Sequence, residues 1–494
     1  MKLMTTLATS MASMRVCFLT DIEGNWQYVR HFVRQSTCLR FTDAHERQLD
    51  LKDDCVLVFG GDAGDKGEDT LHCYSELVRL KKKYPERVVL LVGNRDVNKM
   101  RFTSELDDSE MDLRTMARDI YNGPVWVPQA KRITLPKFLT KLMQKKDGEV
   151  TEVLPDAELD GVNSKVNRLK WMLDYTMGSD GDFERRRLEL TRDQGEASRV
   201  VSDDQVLQSF MDSVYPGGVL REYLLMGSLA FIAHNTLFVH GGIINRSTGD
   251  QDEDGITLGR VPGSLEVIQD VLEWAEKLNG WYQNELQSWI NQPSWHADHK
   301  ERGGDELMSY VLPSYEHSVV MGRHLDSTGM PVPLPSYAAN LLTANSINRI
   351  IVGHTPHGTC PTVIKQPQTE NRTDSQVCEA VHRFDEVLMC DTSYSDMQAP
   401  DNRGLAASEV ILLPDGRVQV HGILPDGKRI DYETQESNIG RLLRDGTMVK
   451  AKVVTSADED PCYLVFKVEN GYSYTYHYRT LTELMEIGFQ GSEQ

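Results

Sequence analysis

The stretch VLVFGGDAGDKG, at residues 56–67, joins a short apolar run to a loop rich in glycine and aspartate. Similar valine-rich runs occur at residues 16–19 and 88–92, and each of them also ends in a turn that contains Gly or Asp. These runs are too short for helices, and their consecutive apolar residues indicate strands that are buried on both faces. Helical patterns at residues 26–33 and 70–83 separate the runs, so their order predicts α/β layers.

Beyond residue 100 the strand signals become widely spaced. Residues 101–230 are rich in charged and helix-forming residues, which favours a helical insertion. Strand patterns return at residues 237–239 and 348–352, and Asn470-Gly471 between two alternating runs predicts a β-hairpin. We predict these segments: 14–100 as the first half of the core, 101–230 as a helical insertion, 231–246 as core, 247–345 as a second helical insertion, 346–430 as the second half of the core, and 431–494 as a C-terminal α+β extension.

The charge balance narrows the classes of partner. The chain of 494 residues has 74 acidic and 53 basic residues, so its formal net charge is −21. A surface this negative repels nucleic-acid phosphates and anionic lipid headgroups, so we expect neither a general nucleic-acid binder nor a membrane-surface protein. Hydrophobic residues make up 40% of the chain, which is enough for a sizeable core. No apolar run reaches the roughly 18 residues of a spanning helix.

The cysteines and the first residues of the chain give a prediction of the cellular location. Eight cysteines show no CxxC spacing, and Cys17 and Cys55 lie inside apolar runs, where a thiol behaves as a small hydrophobic group. Residues 1–14 lack the long apolar stretch of a secretory signal. Both features predict reduced thiols and a cytoplasmic location.

Polar side chains follow the predicted strands at the points where the strands end. They are Asp21, Glu23, Asp62, Asp65, Asn94, His240 and His354. In open α/β sheets, ligands bind just beyond the carboxyl ends of the strands, so these side chains are expected to converge. Carboxylate, amide and imidazole donors suit a pair of divalent metal ions such as manganese, iron, zinc or magnesium.

The order of these motifs resembles the calcineurin-like metallophosphoesterases, whose pattern is DxH, GDxxDRG, GNH(E/D), H and GH. The HGG form at residues 240–242 and the GHTP form at residues 353–356 are similar to the phosphoprotein-phosphatase branch and its ApaH-like and Shewanella-like relatives. The resemblance covers residues 14–100, 232–246 and 347–358. It implies a four-layer α/β/β/α metallophosphoesterase sandwich, here with large helical insertions and a C-terminal β-rich extension.

The resemblance implies a role for each of these residues. One ion would be held by Asp21, Glu23 and Asp62, and a second ion by Asp62, Asn94, His240 and His354, with Asp62 bridging. A hydroxide between the two ions would attack phosphorus in line. Asp65 and Arg95 are the catalytic candidates, with Asp65 orienting the site, and Lys66, Asn94 and Arg95 would bind phosphate.

Three positions depart from the family's pattern. Glu23 stands where the family has His, which adds negative charge to the ligand set and favours harder metals. Lys66 replaces a bidentate guanidinium by a point charge, so the orientation of phosphate should be looser. Arg95 stands where the family's His protonates the leaving group, and an Arg, which is effectively never deprotonated, cannot transfer that proton. Arg95 can instead bind phosphate oxygens and stabilise charge in the transition state.

Two functions are compatible with this pattern. The first is a dinuclear-metal-dependent phosphoesterase for phosphomonoesters or phosphoanhydrides, with protein phosphoserine or phosphothreonine as one option. The alternative, which Arg95 favours, is a catalytically impaired pseudo-phosphatase that binds phosphate or a partner. The predicted partner is a phosphorylated substrate, either a small molecule or a protein. The sequence carries no signal for one substrate or for an oligomeric state.

Two further residues and the insertions complete the predicted site. His357 is a candidate for an additional metal ligand or a substitute acid, and Arg323 for a phosphate clamp that the second insertion delivers. The alternative for His357 is an exposed loop histidine, and Arg323 has no motif behind it. The two insertions leave the sheet next to predicted ligands, so we expect them to form a largely helical cap beside the site.

Overall fold

The computed structural model of the chain describes residues 13–125, 127–144, 152–193, 200–244, 255–367, 383–396, 398–399 and 402–490. The strands are β1 Arg15–Leu19, β2 Leu39–Phe41, β3 Leu49–Leu51, β4 Cys55–Phe59, β5 Val88–Leu91, β6 Gly227–Ser228, β7 Ala230–Ala233, β8 Thr236–Val239, β9 Arg349–Val352, β10 Thr362–Lys365, β11 Glu386–Met389, β12 Ala407–Leu412, β13 Val418–Ile423, β14 Arg429–Glu433, β15 Met448–Val453, β16 Cys462–Asn470 and β17 Ser473–Thr480. The helices are α1 Trp26–Gln35, α2 Thr70–Lys83, α3 Asn94–Val97, α4 Phe102–Glu105, α5 Arg118–Asn122, α6 Leu135–Gln144, α7 Asp156–Leu159, α8 Lys165–Tyr175, α9 Asp182–Asp193, α10 Asp203–Val214, α11 Val219–Leu225, α12 Val271–Asn291, α13 Asp305–Tyr310, α14 Ser336–Ala344 and α15 Leu481–Ile487.

A ten-stranded mixed sheet has the order β17-β16-β15-β14-β13-β12-β1-β4-β5-β6. The three apolar runs that predict buried strands form β1, β4 and β5, which pair in parallel, with Val16 beside Val56. Their carboxyl ends therefore meet at one edge of the sheet. From β1 onward the other half of the sheet is antiparallel, and Asn470-Gly471 lies at the turn of the predicted hairpin between β16 and β17.

A five-stranded sheet has the order β10-β11-β9-β8-β7. Its central strands β8, β9 and β11 are parallel, so the residues that follow them lie at a common edge. His240 follows β8 directly, and His354 comes soon after β9. The two sheets thus each contribute a set of parallel strand ends to the predicted site.

The two sheets pack face to face, and helices cover their outer faces. Phe18 of β1 stacks on Phe238 of β8 with 5.8 Å between the ring centroids, within an apolar cluster that both sheets share. Cys17 points to the opposite face of its strand and clusters with Phe32 of α1. The outer face of the second sheet packs in the same way with Trp274 of α12. The predicted α/β class and its four-layer α/β/β/α arrangement are therefore confirmed.

Helices occupy much of the two proposed insertions. Within the described residues, α4 to α11 lie between β5 and β6, and α12 to α14 lie between β8 and β9. The segment boundaries themselves stay predictions, and residues 1–12 and 491–494 lie outside the described residues. Among the helices described here, none combines the length and the apolar character that a membrane crossing requires.

Candidate metal and phosphate site

The predicted ligands lie in loops that follow the parallel strands, and several have a left-handed backbone. Asp21, Asp62 and His354 have φ angles of 50°, 56° and 64°, a region that non-glycine residues seldom adopt and that recurs at functional sites. The loops also approach closely, since a Cβ on Gly93 would lie 2.0 Å from Oδ1 of Asp62. Glycine at this position lets the loop after β5 lie directly against the Asp62 carboxylate.

Asp62, His240 and His354 form a compact group of buried ligand atoms, which all lie within 4.8 Å of one another. Oδ1 of Asn94 and Nε2 of His240 are buried and have no hydrogen-bond partner among the described residues. Because Nδ1 of His240 lies 2.7 Å from the carbonyl oxygen of Gly60, Nδ1 donates its proton there, so Nε2 is the nitrogen of the neutral ring that carries the lone pair. Buried polar atoms are normally paired, so these two unpaired acceptors fit a cation that they would ligate.

The charges of this group favour a cation. Burial would raise the pKa of Asp62, but His240 and Arg95 outweigh it and hold that pKa below its usual range. Burial would lower the pKa of His240, but Asp62, whose Oδ2 lies 3.6 Å from Nε2, outweighs it and raises the pKa to about 9. Burial is the main reason why the pKa of Asp21 is raised to about 7. The centre is thus negative enough to hold a proton or a metal ion.

Asp96 braces two of the ligand loops. Its carboxylate accepts hydrogen bonds from the backbone N–H groups of Asp62, Ala63 and Gly93, at 2.9, 3.0 and 2.7 Å. The hydroxyl of Tyr74 donates a fourth hydrogen bond at 2.6 Å. Burial, and next the charge of Asp62, raises the pKa of Asp96 to about 6. This buried carboxylate joins the loops after β4 and β5 and so fixes the position of the Asp62 side chain.

The guanidinium of Arg95 lies among carboxylates. Its Nε is 3.1 Å from Oε1 of Glu23 and 3.5 Å from Oδ2 of Asp62, and its Nη1 is 3.7 Å from Oδ2 of Asp65. The backbone N–H of Arg95 also donates to Oδ1 of Asp62 at 2.9 Å. Nη1 donates in addition to the carbonyl oxygen of Gly178, at 3.1 Å. The predicted phosphate ligand Arg95 is therefore in direct contact with two predicted metal ligands.

Asp65 and Lys66 contact the segment that joins α8 to α9. Oδ2 of Asp65 accepts hydrogen bonds from Nζ of Lys99 at 2.7 Å and from the hydroxyl of Ser179 at 2.6 Å. Burial would raise the pKa of Asp65, but the positive charges of Lys99 and Arg95 outweigh burial and lower the pKa to about 2. Nζ of Lys66 pairs with Oδ1 of Asp180 at 2.5 Å. Both predicted site residues are thus tied to the first insertion.

Two buried residues of the site, Asp391 and Arg403, have no role in the sequence interpretation. Nη2 of Arg403 lies 3.5 Å from Oδ1 of Asp391 and 3.7 Å from Oε2 of Glu23. Burial, and next the charge of Asp21, raises the pKa of Asp391 well above its ordinary value. The signal that could find Asp391 is the same as for the other motifs, a short strand with a polar turn after it, at residues 386–391.

Comparison with known proteins gives similarities to solved structures only, since the chain matches no protein-family model and no curated protein. It is similar to a cold-active protein-tyrosine phosphatase of a psychrophile Shewanella sp., with a TM-score of 0.38, 11% identity and coverage of 85% of this chain and 84% of that chain. It is also similar to a protein serine/threonine phosphatase from Saccharomyces cerevisiae with similarity to human phosphatase PP5. The TM-score is 0.33 and the identity 11%, and the match covers 86% of this chain and 88% of that chain. A third similar structure is a metallophosphoesterase from Sphaerobacter thermophilus, with a TM-score of 0.28, 11% identity and coverage of 83% of this chain and 88% of that chain. At these TM-scores the likeness supports no inference about activity.

His357 and Arg323, the two further candidates, differ in their relation to the site. The ring of His357 is buried, with 4.9 Å between its centroid and that of Tyr474, and its Nδ1 lies 2.9 Å from Oγ1 of Thr362. Burial lowers the pKa of His357 to about 3, which makes it a poor proton donor near neutral pH. Nη1 of Arg323 donates to Oγ1 of Thr355 at 3.1 Å, so Arg323 lies beside the GHTP loop.

A second group of possible metal ligands lies on the outer side of the ten-stranded sheet, at Cys17, Cys38 and Glu409. The carboxylate of Glu409 already accepts hydrogen bonds from the thiol of Cys17 at 3.1 Å and from the backbone N–H of Thr37 at 2.7 Å, and it pairs with His421 at 3.1 Å. Burial is the main reason why the pKa of the Cys17 thiol is raised to about 12. This group is accounted for as a buried hydrogen-bond network that needs no metal.

Proposed function

We propose that this chain is a metal-dependent phosphoesterase that hydrolyses phosphomonoesters or phosphoanhydrides, with protein phosphoserine or phosphothreonine as one option. The observation that carries the proposal is the buried group of Asp62, His240 and His354, whose ligand atoms lie within 4.8 Å of one another. The unpaired Oδ1 of Asn94 adds an oxygen donor to this group. Donors of these kinds suit manganese, iron, zinc or magnesium. The motif order that resembles the metallophosphoesterases supports the same function.

The two ligand sets that the resemblance implies differ in how well they fit an ion. The set Asp62, Asn94, His240 and His354 contains two buried acceptors without a hydrogen-bond partner among the described residues. In the other set, Glu23 and Asp62 are in contact with the guanidinium of Arg95. A bound divalent ion supplies a Lewis acid and lowers the pKa of a water molecule that it ligates.

The chain's own cations would bind and orient the phosphoryl group. Arg95 presents a planar guanidinium at the edge of the carboxylate group, and its side chain is 17% exposed, so phosphate oxygens can reach it. Lys66 is the second cation, and phosphate would compete with Asp180 for its ammonium group. Asp65 would orient the site, because its hydrogen bonds hold Lys99 and Ser179 in place.

A second function is favoured by the same position of Arg95. A guanidinium that is paired with Glu23 and Asp62 cannot protonate a leaving group. A site of this kind could bind phosphate or a phosphorylated partner without hydrolysing it. The alternative is therefore a pseudo-phosphatase that acts as a phosphate-binding or partner-binding module.

Composition supports two further parts of the proposal. The net charge of −21 favours a small molecule or a protein as substrate over a nucleic acid. The seven cysteines of the described residues are all free, which supports a reducing location such as the cytoplasm.

Metal analysis and hydrolysis of para-nitrophenyl phosphate by the full chain, after dialysis against Mn²⁺, test the proposed function. Asp62→Asn keeps the size of the side chain and removes its charge. Substitution of a residue that only hydrogen-bonds to a metal ligand typically lowers metal affinity or activity by about 10–100-fold. Because Asp62 would itself be a ligand, this variant should lose bound metal and at least that much activity. Asp53→Asn, at an exposed aspartate of the turn before β4, is the matched control and should behave like the wild type.

The outcomes separate the two functions. Wild-type protein that binds metal but hydrolyses no phosphoester would favour the phosphate-binding module. Wild-type protein that binds no metal under these conditions would contradict the metalloenzyme.

A further inference from the structure

We infer that the guanidinium of Arg95 takes the place of one of the two metal ions that the motif resemblance implies, so that the site holds a single divalent ion. The inference rests on the proposed function, because it concerns the same site. It assigns the ion to Asp62, Asn94, His240 and His354, and it assigns a fixed organic cation to the side of Glu23.

Arg95 contacts two of the three side chains that the resemblance assigns to this ion, Glu23 and Asp62. Its Nε lies 3.1 Å from Oε1 of Glu23 and 3.5 Å from Oδ2 of Asp62, so one N–H group faces the carboxylates of two separate loops. Its Nη1 faces Asp65 and donates to the carbonyl oxygen of Gly178. Four oxygen atoms thus lie within 3.7 Å of the Nε and Nη1 atoms of this guanidinium.

Both carboxylate oxygens of Glu23 already have partners within the protein. Oε1 is in contact with Nε of Arg95, and Oε2 accepts a hydrogen bond from the backbone N–H of Ser395 at 3.1 Å. Nη2 of Arg403 lies a further 3.7 Å from Oε2. One glutamate therefore has two guanidinium groups beside it, and its charge is compensated without a metal.

Asp21 is engaged in a similar way. Both of its carboxylate oxygens lie within 3.1 Å of the backbone N–H of His354, and the hydroxyl of Thr20 donates to Oδ2. By contrast, Oδ1 of Asn94 and Nε2 of His240 on the other side have no such partners among the described residues. The protein thus provides donors of its own for Glu23 and Asp21, and it leaves Oδ1 of Asn94 and Nε2 of His240 for an ion.

Two departures from the family's pattern explain each other in this arrangement. Glu23 and Arg95 both stand where the family has His, and in this chain they form one ion pair. A neutral imidazole at position 23 could not compensate the positive charge of Arg95. The glutamate that stands there adds a negative charge, which Arg95 compensates. Because Arg95 carries a permanent positive charge, a second divalent ion beside it would be repelled.

Metal content of the full chain, measured after equilibrium dialysis against Mn²⁺, tests the inference. We expect one Mn²⁺ per chain in the wild type and two in Arg95→Ala, where the guanidinium is removed and Glu23 is released. Electron paramagnetic resonance of the same samples should show an isolated ion in the wild type and a coupled pair in the variant. Arg417→Ala, which removes an exposed arginine that is also paired with carboxylates, is the control and should bind one ion.

Each outcome bears on the inference or on the proposed function. Two coupled ions in the wild type would overturn the inference and leave the proposed function standing. One ion in both the wild type and a folded Arg95→Ala would overturn the role of Arg95. No ion in either protein would overturn the proposed function and the inference together. If Arg95→Ala does not fold, Arg95→His takes its place. The number of Mn²⁺ ions per wild-type chain, one or two, then still decides whether the inference holds.

Discussion

Arg95 is the residue at which the chemistry of this site departs most from the motif resemblance. Burial would lower the pKa of its guanidinium, but Glu23, Asp62 and Asp65 outweigh that effect and raise it. The side chain therefore stays charged throughout the pH range of a folded protein. It can stabilise negative charge on a phosphoryl group, but it cannot give a proton to the departing oxygen.

We predict that the wild-type protein hydrolyses aryl phosphates and nucleotide anhydrides much faster than alkyl phosphates. Leaving groups of low pKa depart without a proton, whereas alkyl esters should be slower by about 10²–10⁴-fold, the factor that general acid catalysis normally supplies. The measurement is kcat/KM across phosphoesters of graded leaving-group pKa. In Arg95→His the dependence should become flatter, since an imidazole can donate a proton. The same variant should bind phosphate more weakly.

A wild-type rate that does not depend on leaving-group pKa would mean that another group already protonates the leaving oxygen. Arg417→Ala serves as the control for this series, because Arg417 is half exposed and pairs only with Asp415 and Glu433 among the described carboxylates. Its dependence on leaving-group pKa should match that of the wild type.

The segment between α8 and α9 is the element through which the first insertion reaches the site. Residues 178–180 of this segment contact Arg95, Asp65 and Lys66 in turn. The side chain of Asp180 is 64% exposed, so its substitution does not disturb the core. An insertion held at these points can control how a substrate approaches the cations.

We predict that Asp180→Asn binds inorganic phosphate more tightly than the wild type, because Asp180 competes with phosphate for the ammonium group of Lys66. An ion pair with one exposed partner contributes about 1 kcal/mol or less, so the gain in affinity should be about fivefold at most. Competitive inhibition by phosphate, or calorimetric titration, measures the effect. Asp160→Asn, at another exposed aspartate of the insertion, should leave phosphate affinity unchanged. Equal affinity in Asp180→Asn and the wild type would argue against Lys66 as a phosphate ligand.

At the scale of the whole molecule, Glu386 joins the two sheets at the ends of the strands opposite to the site. Its Oε1 accepts hydrogen bonds from Arg349 at 2.7 Å and from Thr434, just after β14, at 2.8 Å. Its Oε2 accepts one from Lys365 at 2.7 Å. Burial would raise the pKa of Glu386, but Arg349 and Lys365 outweigh it and hold the pKa below its usual range.

We predict that Glu386→Gln lowers the free energy of unfolding by about 3–5 kcal/mol near pH 7, because it leaves the buried Arg349 uncompensated. The folded pKa of Glu386 is below the unfolded value, so its charge stabilises the fold above about pH 4.3. That contribution is lost as the pH falls through the lower, folded pKa. Chemical denaturation of both proteins at several pH values should therefore show a difference that shrinks in acid.

The control for this prediction is Glu433→Gln, at a partly exposed glutamate that pairs with Arg417. This pair should contribute less than about 1 kcal/mol. If the two glutamate variants lose the same stability, Glu386 does not act as a buried link between the sheets.

Strands and their polar ends are the part of this protein that the sequence predicts well. Consecutive apolar residues followed by Gly or Asp indicate β1, β4 and β5, because burial on both faces is visible within four or five neighbouring residues. The same local rule identifies Asp62 and His240 as side chains at strand ends. The same rule also applies to Asp391, which directly follows the apolar run at residues 387–390, although the sequence interpretation assigns no strand there.

The sequence by itself determined the α/β layers and the donors at the ends of their parallel strands, because hydrophobic runs and turn residues act over short distances along the chain. Only the tertiary structure decided which charges compensate one another. Glu23 meets Arg95, and Lys66 meets Asp180, which is 114 residues away. Ion pairs of this kind depend on how loops from different strands and insertions pack together, and no local pattern encodes that packing.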